Sequence, residues 1–552
     1  MRKALIMCLA LMIAACSGEK SVDAQATPAE TFTDQPNILI LMAEDMSSRV
    51  GAFDDPVAQT PNLDALAQTS VRYPNTFTTA GVCAPSRTAH ITGVHQVTVG
   101  GQHMRTRSFA KMPYRAIPPA DVKAYPELMR HAGYYTFTNN KLDYQFSNTS
   151  AGTGPFTIWD YEGGSPDWNK RAKGQPFFAL INFKITHESQ LFKTEVEKNR
   201  SKGYARVVTP NQVEVPPYYP DTPVVRETIA QQYDNIYQMD KEVGALLAKL
   251  KEDGLAENTI VIWTTDHGDG LPRAKREIYD SGIKVPLIIH RPEKFKPASM
   301  VPGSIDERLI SFVDIGPSVL SMAGVDVPAF MQGYASLTAD GHSRDYVFAS
   351  KDRLDEFPFR ERVVRGQRYK YLYNYQPGEP GARHLAYRDK LEMMRELWAL
   401  YETGQLNAAQ SFWFEPRPQE ELYDLELDPY EINNLADDPR FNNELVRMRQ
   451  ALKSWQERVS DLSEQSEEDM ALAFWPEGKQ PLTPAPSFTV LGSHDVQLNS
   501  NEVGASLGYR FDDGAWQAYE PDSIIKAAKD SILYSKAVRY GWQESAEISH
   551  KF

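Results

Sequence analysis

The chain has 552 residues, 41% hydrophobic and 24% charged, the composition of an ordinary globular protein with a large core and about two to four domains. A net charge of −14 argues against nucleic acid as a partner. It would also repel a polyanion from most of the surface, so any such substrate needs a local basic pocket.

The first element is an address. Arg2 and Lys3 precede an apolar run, Ala4 to Ala15, too short to span a bilayer and shaped like a secretory signal over residues 1–15. The run ends Ile13-Ala14-Ala15-Cys16, which resembles a bacterial lipobox. That resemblance implies cleavage before Cys16, lipid on its thiol, and membrane attachment by the lipid anchor only, with residues 16–35 as a polar tether. Ser17 after the cysteine favours the outer membrane, hence a bacterial cell-envelope protein of the periplasm or cell surface. The alternative is a plain exported protein whose signal happens to contain a cysteine. Cys8 lies in the signal, so no disulfide framework is left and the third thiol, Cys83, needs an explanation.

Asn37 to Met42 is a continuous apolar run, the pattern of a buried parallel strand, and Glu44 and Asp45 follow at its carboxyl end, where open α/β sheets bind ligands. Thr60 and Pro61 cap a helix. Gly81 to Gly93 reads GVCAPSRTAHITG. Taken by itself it is a buried cysteine near a helix start, with Pro85 in the first turn. The loop Gly100 to Arg107 carries His103, Arg105 and Arg107, either a structural turn or part of a basic pocket. A short strand near Tyr134 to Phe137 leads to Lys141 and Asp143, and a second buried strand, Gln175 to Phe183, leads to His187. Residues 195 to 222 read as an irregular surface insertion. Ile229, Tyr233, Ile236, Met239, Val243, Leu246 and Leu250 then recur at helical steps up to a stop at Gly254. Thr259 to Thr265 is a third buried strand, ending in Asp266 and His267. Lys275 follows, then Tyr279 to Pro286.

In this order the motifs resemble the type I formylglycine-dependent sulfatases of the alkaline-phosphatase-like superfamily, with Cys83-x-Pro85-Ser86-Arg87 matching the modification signal. The branch resembled includes N-sulfoglucosamine sulfohydrolase and polysaccharide sulfatases. The resemblance implies an α/β fold with a large mixed sheet between helices over residues 36–356, and a smaller C-terminal α+β subdomain over 357–462 closed by a helix from Glu444 to Leu462. Residues 463–486 are acidic, then Pro-rich, and read as a linker. Residues 487–552 read as a small β-sandwich-like appendage.

The same resemblance implies the chemistry. Cys83 would be oxidised to 3-oxoalanine (formylglycine) by a formylglycine-generating or equivalent maturase, and its hydrate would attack sulfur. Glu44, Asp45, Asp266 and His267, with residue 83, would hold Ca2+, another divalent cation staying open because imidazole is softer than calcium's usual oxygen ligands. Arg87, Lys141 and Lys275 would stabilise sulfuryl charge, and His187 would protonate the leaving oxygen. His103 and Arg105 would contact a sulfated carbohydrate. The chain departs from the family at Glu44, usually Asp, and at Asp143, where a His is expected to regenerate the aldehyde; Asp143 could take that proton instead, at the cost of a negative charge near the sulfate. The expected function is hydrolysis of sulfate esters or N-sulfates of a sulfated polysaccharide or its oligosaccharides. The alternatives are a phosphodiesterase or phosphonate monoester hydrolase of the same fold, and a non-catalytic glycan-binding lipoprotein.

Overall fold

The three apolar runs of the first half of the chain become neighbouring strands at the centre of one sheet. The computed structural model describes residues 35–164, 167–339 and 341–552, so the expected signal peptide and the expected lipidation site, Cys16, lie outside the described residues. The sheet contains β1 (Asn37–Ala43), β2 (Val71–Phe77), β3 (Tyr135–Thr138), β4 (Tyr161–Glu162), β5 (Phe177–Phe183), β6 (Thr259–Thr265), β7 (Lys284–His290) and β8 (Ile310–Ser311). Their order is β4-β3-β5-β1-β6-β7-β2-β8. β4, β3, β5, β1 and β6 run parallel, and β7 runs against both of its neighbours, which makes the sheet mixed.

Both faces of these strands are covered, which is why their sequences do not alternate with polar residues. Ile38, Ile40 and Met42 of β1 join Phe178, Leu180, Ile260 and Ile262 on one face, under Tyr125, Met129, Val319 and Leu320. Leu39, Leu41 and Ala43 join Ala179, Ile181, Val261 and Trp263 on the other, under Ile236, Met239 and Val243 of the Pro223–Glu252 helix. Each wholly buried aliphatic side chain contributes roughly 1.5–3 kcal/mol to holding these layers together.

A second, antiparallel sheet has the order β12-β11-β10-β9, from β9 (Val347–Lys351), β10 (Glu361–Arg365), β11 (Tyr369–Asn374) and β12 (Glu420–Asp424). It therefore begins before residue 357. The Asn442–Val459 helix covers it with Leu445, Met448, Leu452 and Trp455, and Trp455 stacks on Phe348 at 5.1 Å.

Two stretches, one read as an irregular insertion and the other as a linker, are packed. Residues 195–222 begin within the Lys193–Ser201 helix, and their Val208, Val213 and Tyr219 are buried against Val225, Ile229 and Tyr233. The stretch 463–486 contains the Glu467–Phe474 helix, capped by Ser466. Its Met470 and Ala471 are buried with Tyr114, and a Cβ on Gly100 would lie 2.4 Å from the Phe474 ring. The acidic first turn suits a helix N-terminus, and only one short apolar face betrays the packing.

The last strands are β13 (Ser487–Val490), β14 (Asp495–Asn499), β15 (Ser506–Phe511), β16 (Gln517–Ala518), β17 (Ile525–Lys526), β18 (Ile532–Val538) and β19 (Ile548–Lys551). They form two sheets, β13-β14-β17 and β16-β15-β18-β19, which share a core of Val496, Leu498, Leu507, Ile525, Leu533 and Ala537. No helix among the described residues is long and apolar enough to cross a membrane.

Candidate active site

β1, β2, β3, β5 and β6 all deliver their carboxyl ends to one edge of the sheet, and the loops leaving them carry the candidate residues. After β2 the chain turns at extended Val82 into the helix Cys83–Thr92. Pro85 sits in its first turn, where a missing N–H has no intrahelical partner to lose. The two side chains after it are anchors: Ser86 Oγ donates to the Asp266 carbonyl at 2.6 Å, and Arg87 Nε donates to Asp266 Oδ2 at 2.9 Å. Asp266 Oδ1 in turn accepts from the Asp45 backbone N–H at 3.0 Å, so one carboxylate ties together the ends of β1, β6 and the cysteine helix.

Around it the predicted ligands converge. Cys83 Sγ lies 3.3 Å from His267 Nε2 and 3.8 Å from Asp45 Oδ1, and all three residues are buried. His267 Nε2 is 3.0 Å from Asp45 Oδ1 and 3.7 Å from Asp266 Oδ1. One ligand atom each from Asp45, Cys83, Asp266 and His267 falls within 4.8 Å of the others. Glu44 stands one step aside, in an overlapping group with Asp45 and His187. Its Oε2 accepts from Lys141 Nζ at 2.7 Å, and its Oε1 is buried with no partner.

This donor set fits a divalent cation. His267 Nδ1 faces the Gly268 carbonyl at 3.0 Å, an arrangement that places the proton on Nδ1 and leaves the Nε2 lone pair toward the carboxylates. The orphaned Glu44 oxygen is a further hard ligand atom without an assignment in the protein itself. With the carboxylates facing only protein, burial is outweighed by Asp266 and Asp45, which push His267 up to about 10. Asp45 and Asp266 both lie well below the usual carboxylate range, because His and Lys or Arg charges outweigh their burial.

The cations sit beside this cluster. Lys275 Nζ contacts Asp45 Oδ2 at 2.5 Å, Glu188 Oε1 at 3.0 Å and His187 Nε2 at 3.2 Å. Lys141 lies 3.7 Å from Asp266 as well as contacting Glu44. Arg87 Nη1 donates to Asn182 Oδ1 at 2.7 Å, and its Nη2 is buried without a partner. Burial raises the Cys83 thiol, but Lys141 and Lys275 overcome this and bring it down to about 6. His187 Nδ1 lies 2.9 Å from Ser189 Oγ and 3.2 Å from the Ser189 backbone N–H, and its Nε2 faces Lys275 Nζ at 3.2 Å and Asp45 Oδ2 at 3.9 Å. A cleft of about 370 Å³ opens from these groups and is lined by Glu44, Lys141, His187 and Lys275, with Arg105, Asn140, Arg276 and Tyr387 among its walls.

Two expected residues are placed differently. His103 does not line the cleft. It is buried, its Nδ1 accepting from the Arg353 backbone at 3.2 Å, and burial with Arg353 and Arg362 holds its pKa well below the ordinary value. It packs between Arg353 and Glu467, away from the residues that line the cleft. Asp143 lies beneath Arg105, which does line the cleft and grips it through Nε and Nη2, both at 2.6 Å. Burial is outweighed by Arg105 and Lys141, so Asp143 stays ionised and is no proton acceptor near neutrality. The sequence reading missed Glu188, which pairs with both Lys275 and Arg276, and Asn182, which orients Arg87. Both flank His187 in sequence, on β5 and its turn, which was the available signal.

Comparison with known proteins agrees with this geometry. The sulfatase family profile matches residues 36–325, and the profile "N-sulphoglucosamine sulphohydrolase, C-terminal" matches residues 273–380. An ulvan-active sulfatase of Formosa agariphila is 37% identical over 98% of this chain and 96% of its own. Human N-sulphoglucosamine sulphohydrolase is 26% identical over 77% of this chain and 90% of its own. The phosphonate monoester hydrolase of Agrobacterium radiobacter shares the fold, with a TM-score of 0.55 at 16% identity, covering 85% of this chain and 100% of its own. The chain belongs to the sulfatase family and is a sulfuric ester hydrolase of the alkaline-phosphatase-like fold.

Proposed function

We propose that the protein removes sulfate from a sulfated polysaccharide or its oligosaccharides, cleaving O-sulfate or N-sulfate groups. The observation that carries this reading is the convergence of Cys83 with Asp45, Asp266 and His267 within 4.8 Å, beside Lys141, Lys275 and His187. The 37% identity to an ulvan-active sulfatase supports a sulfated glycan as the substrate class. In this reading residue 83, converted to formylglycine, supplies a hydrate oxygen as the nucleophile, and a divalent cation, taken to be calcium, supplies Lewis-acid stabilisation. Lys141 and Lys275 neutralise charge that grows on the sulfuryl oxygens, and the buried amino groups gain strength from the dry surroundings. Arg87 orients Asp266. His187 gives a ring proton to the departing oxygen or nitrogen. Because Cys83 is wholly buried, a maturase would have to meet it before the chain folds. The lipobox-like Cys16 supports a lipid anchor in the bacterial envelope for this activity.

The test is sulfate release from a panel of sulfated glycans, with phosphate mono- and diesters and a phosphonate ester as controls. The matured protein should release sulfate and act on the phosphorus esters orders of magnitude more slowly, and Cys83→Ala should abolish turnover. Faster phosphoester cleavage, or full activity in Cys83→Ala, would overturn the assignment.

A further inference from the structure

The cleft is lined by six basic side chains (Arg105, Arg107, Lys141, Lys184, Lys275 and Arg276) but only three acidic ones (Glu44, Glu188 and Asp355). Four of those cations are answered by protein carboxylates. Lys141 contacts Glu44 at 2.7 Å, Lys275 contacts Asp45 at 2.5 Å, Arg276 contacts Glu188 at 2.8 Å, and Arg105 contacts Asp143 at 2.6 Å. Arg107 and Lys184 are left over. Among the described residues neither makes an ion pair, and both are exposed. Arg107 donates to Thr149 Oγ1, on the wall formed by the Lys141–Ser150 segment. Lys184 lies on the turn of the proposed leaving-group acid, its carbonyl accepting from the His187 backbone N–H at 3.1 Å. The wall between carries Asn140, whose Oδ1 is buried without a partner and open to a hydroxyl donor.

In a chain of net charge −14, two cations without an ion pair among the described residues, on the rim of the cleft that holds the reactive groups, favour an incoming anion there. Like charge is also concentrated there: partial burial and Arg105 disfavour the charged form of Arg107 and outweigh the opposing Asp143. An incoming anion relieves that repulsion.

We propose that Arg107 and Lys184 form a second anion subsite, which takes a carboxylate or sulfate on the sugar next to the one that carries the scissile sulfate. The identity of the sugar rests on the sulfated-glycan reading above, but the subsite can be tested without turnover. Rim ion pairs are individually weak, so the preference is one of selectivity and association rate, roughly three- to tenfold in affinity at low salt.

The experiment is calorimetric titration of the full-length Cys83→Ala protein, with a divalent cation present, against three disaccharides. Each carries the same sulfate, and the neighbouring sugar bears a carboxylate, a second sulfate or a neutral hydroxymethyl group. At least one dianionic ligand should bind roughly three- to tenfold more tightly than the neutral-neighbour one, and which of them gains identifies the anion. The advantage should shrink as salt is raised to about 0.5 M. It should vanish in the double variant Arg107→Gln with Lys184→Gln, and reverse in Lys184→Glu. Equal affinity for all three ligands, no measurable binding of any, or an advantage that survives in the double variant would overturn the proposal. Sulfate release by the matured wild-type protein is scored separately. Binding without release would therefore sink the hydrolytic reading alone, and release without the preference would sink the subsite alone.

Discussion

Asp143 brings a negative charge toward a cleft that must accept a sulfate, and Arg105 cancels it through two contacts of 2.6 Å. The pair makes Asp143 a positioning residue. Asp143→Asn should lower kcat/KM roughly tenfold, about 1.4 kcal/mol, while the limbs of the pH profile stay in place. Loss of a limb, or a far larger fall in kcat, would restore Asp143 as a proton carrier. Glu188 makes a second prediction. Burial would raise its pKa, but Arg276 and Lys275 hold it down to about 2, against an ordinary 4.5. A depressed carboxyl contributes stability that is fully present above about pH 4.5 and is lost as pH falls toward 2. Thermal midpoints should therefore drop over that window in the wild type and more shallowly in Glu188→Gln, which should also melt lower at pH 7. A parallel decline would contradict the pairing. That Cys83, Asp266, His267 and Lys275 come together was legible through the family resemblance that the order of the motifs carries. His103 was misread because a histidine among arginines looks like a pocket in sequence, whereas Arg353, which turns it into a packing residue, is 250 positions away.

The helix that presents Cys83 is held at its start by a backbone clamp. The Gly81 carbonyl accepts from the Arg276 N–H at 2.6 Å, and a Cβ on Gly81 would lie 1.9 Å from the Glu277 carbonyl oxygen. Neither chain can yield without moving Lys275 or Cys83. Gly81→Ala should cost about 1–3 kcal/mol through overpacking and should lower sulfate-releasing activity together with the melting temperature. An unchanged melting point would remove the clamp from the account. The strands were readable because burial on both faces turns each into an unbroken apolar run, as in Leu39, Ile40 and Leu41. The Lys193–Ser201 helix was not, since it is mostly polar and buries Asn199 rather than an apolar face, and the Glu467–Phe474 helix was not, since its narrow apolar contact at Met470 and Ala471 lies within a polar segment.

Across the whole molecule the terminal sandwich is joined to the sheet of the catalytic residues by a buried hub. Glu127 accepts from Tyr540 at 2.7 Å and from Ser506 and Thr157 at 2.5 Å, and Tyr540 stacks on Phe146 at 4.9 Å. Phe146 closes the segment that begins with Lys141, so the appendage braces one wall of the cleft. Short strand patterns from about Ser487 onward foretold a β-rich appendage but not this brace, which depends on partners about 400 residues apart. All of these supports converge on the side chain at position 83. The decisive measurement is the mass of the proteolytic peptide that contains it, taken from a preparation that releases sulfate. The account predicts a peptide about 18 Da lighter than the encoded sequence, a carbonyl having replaced the thiol. An active preparation whose residue 83 carries the unaltered mass of cysteine would contradict it.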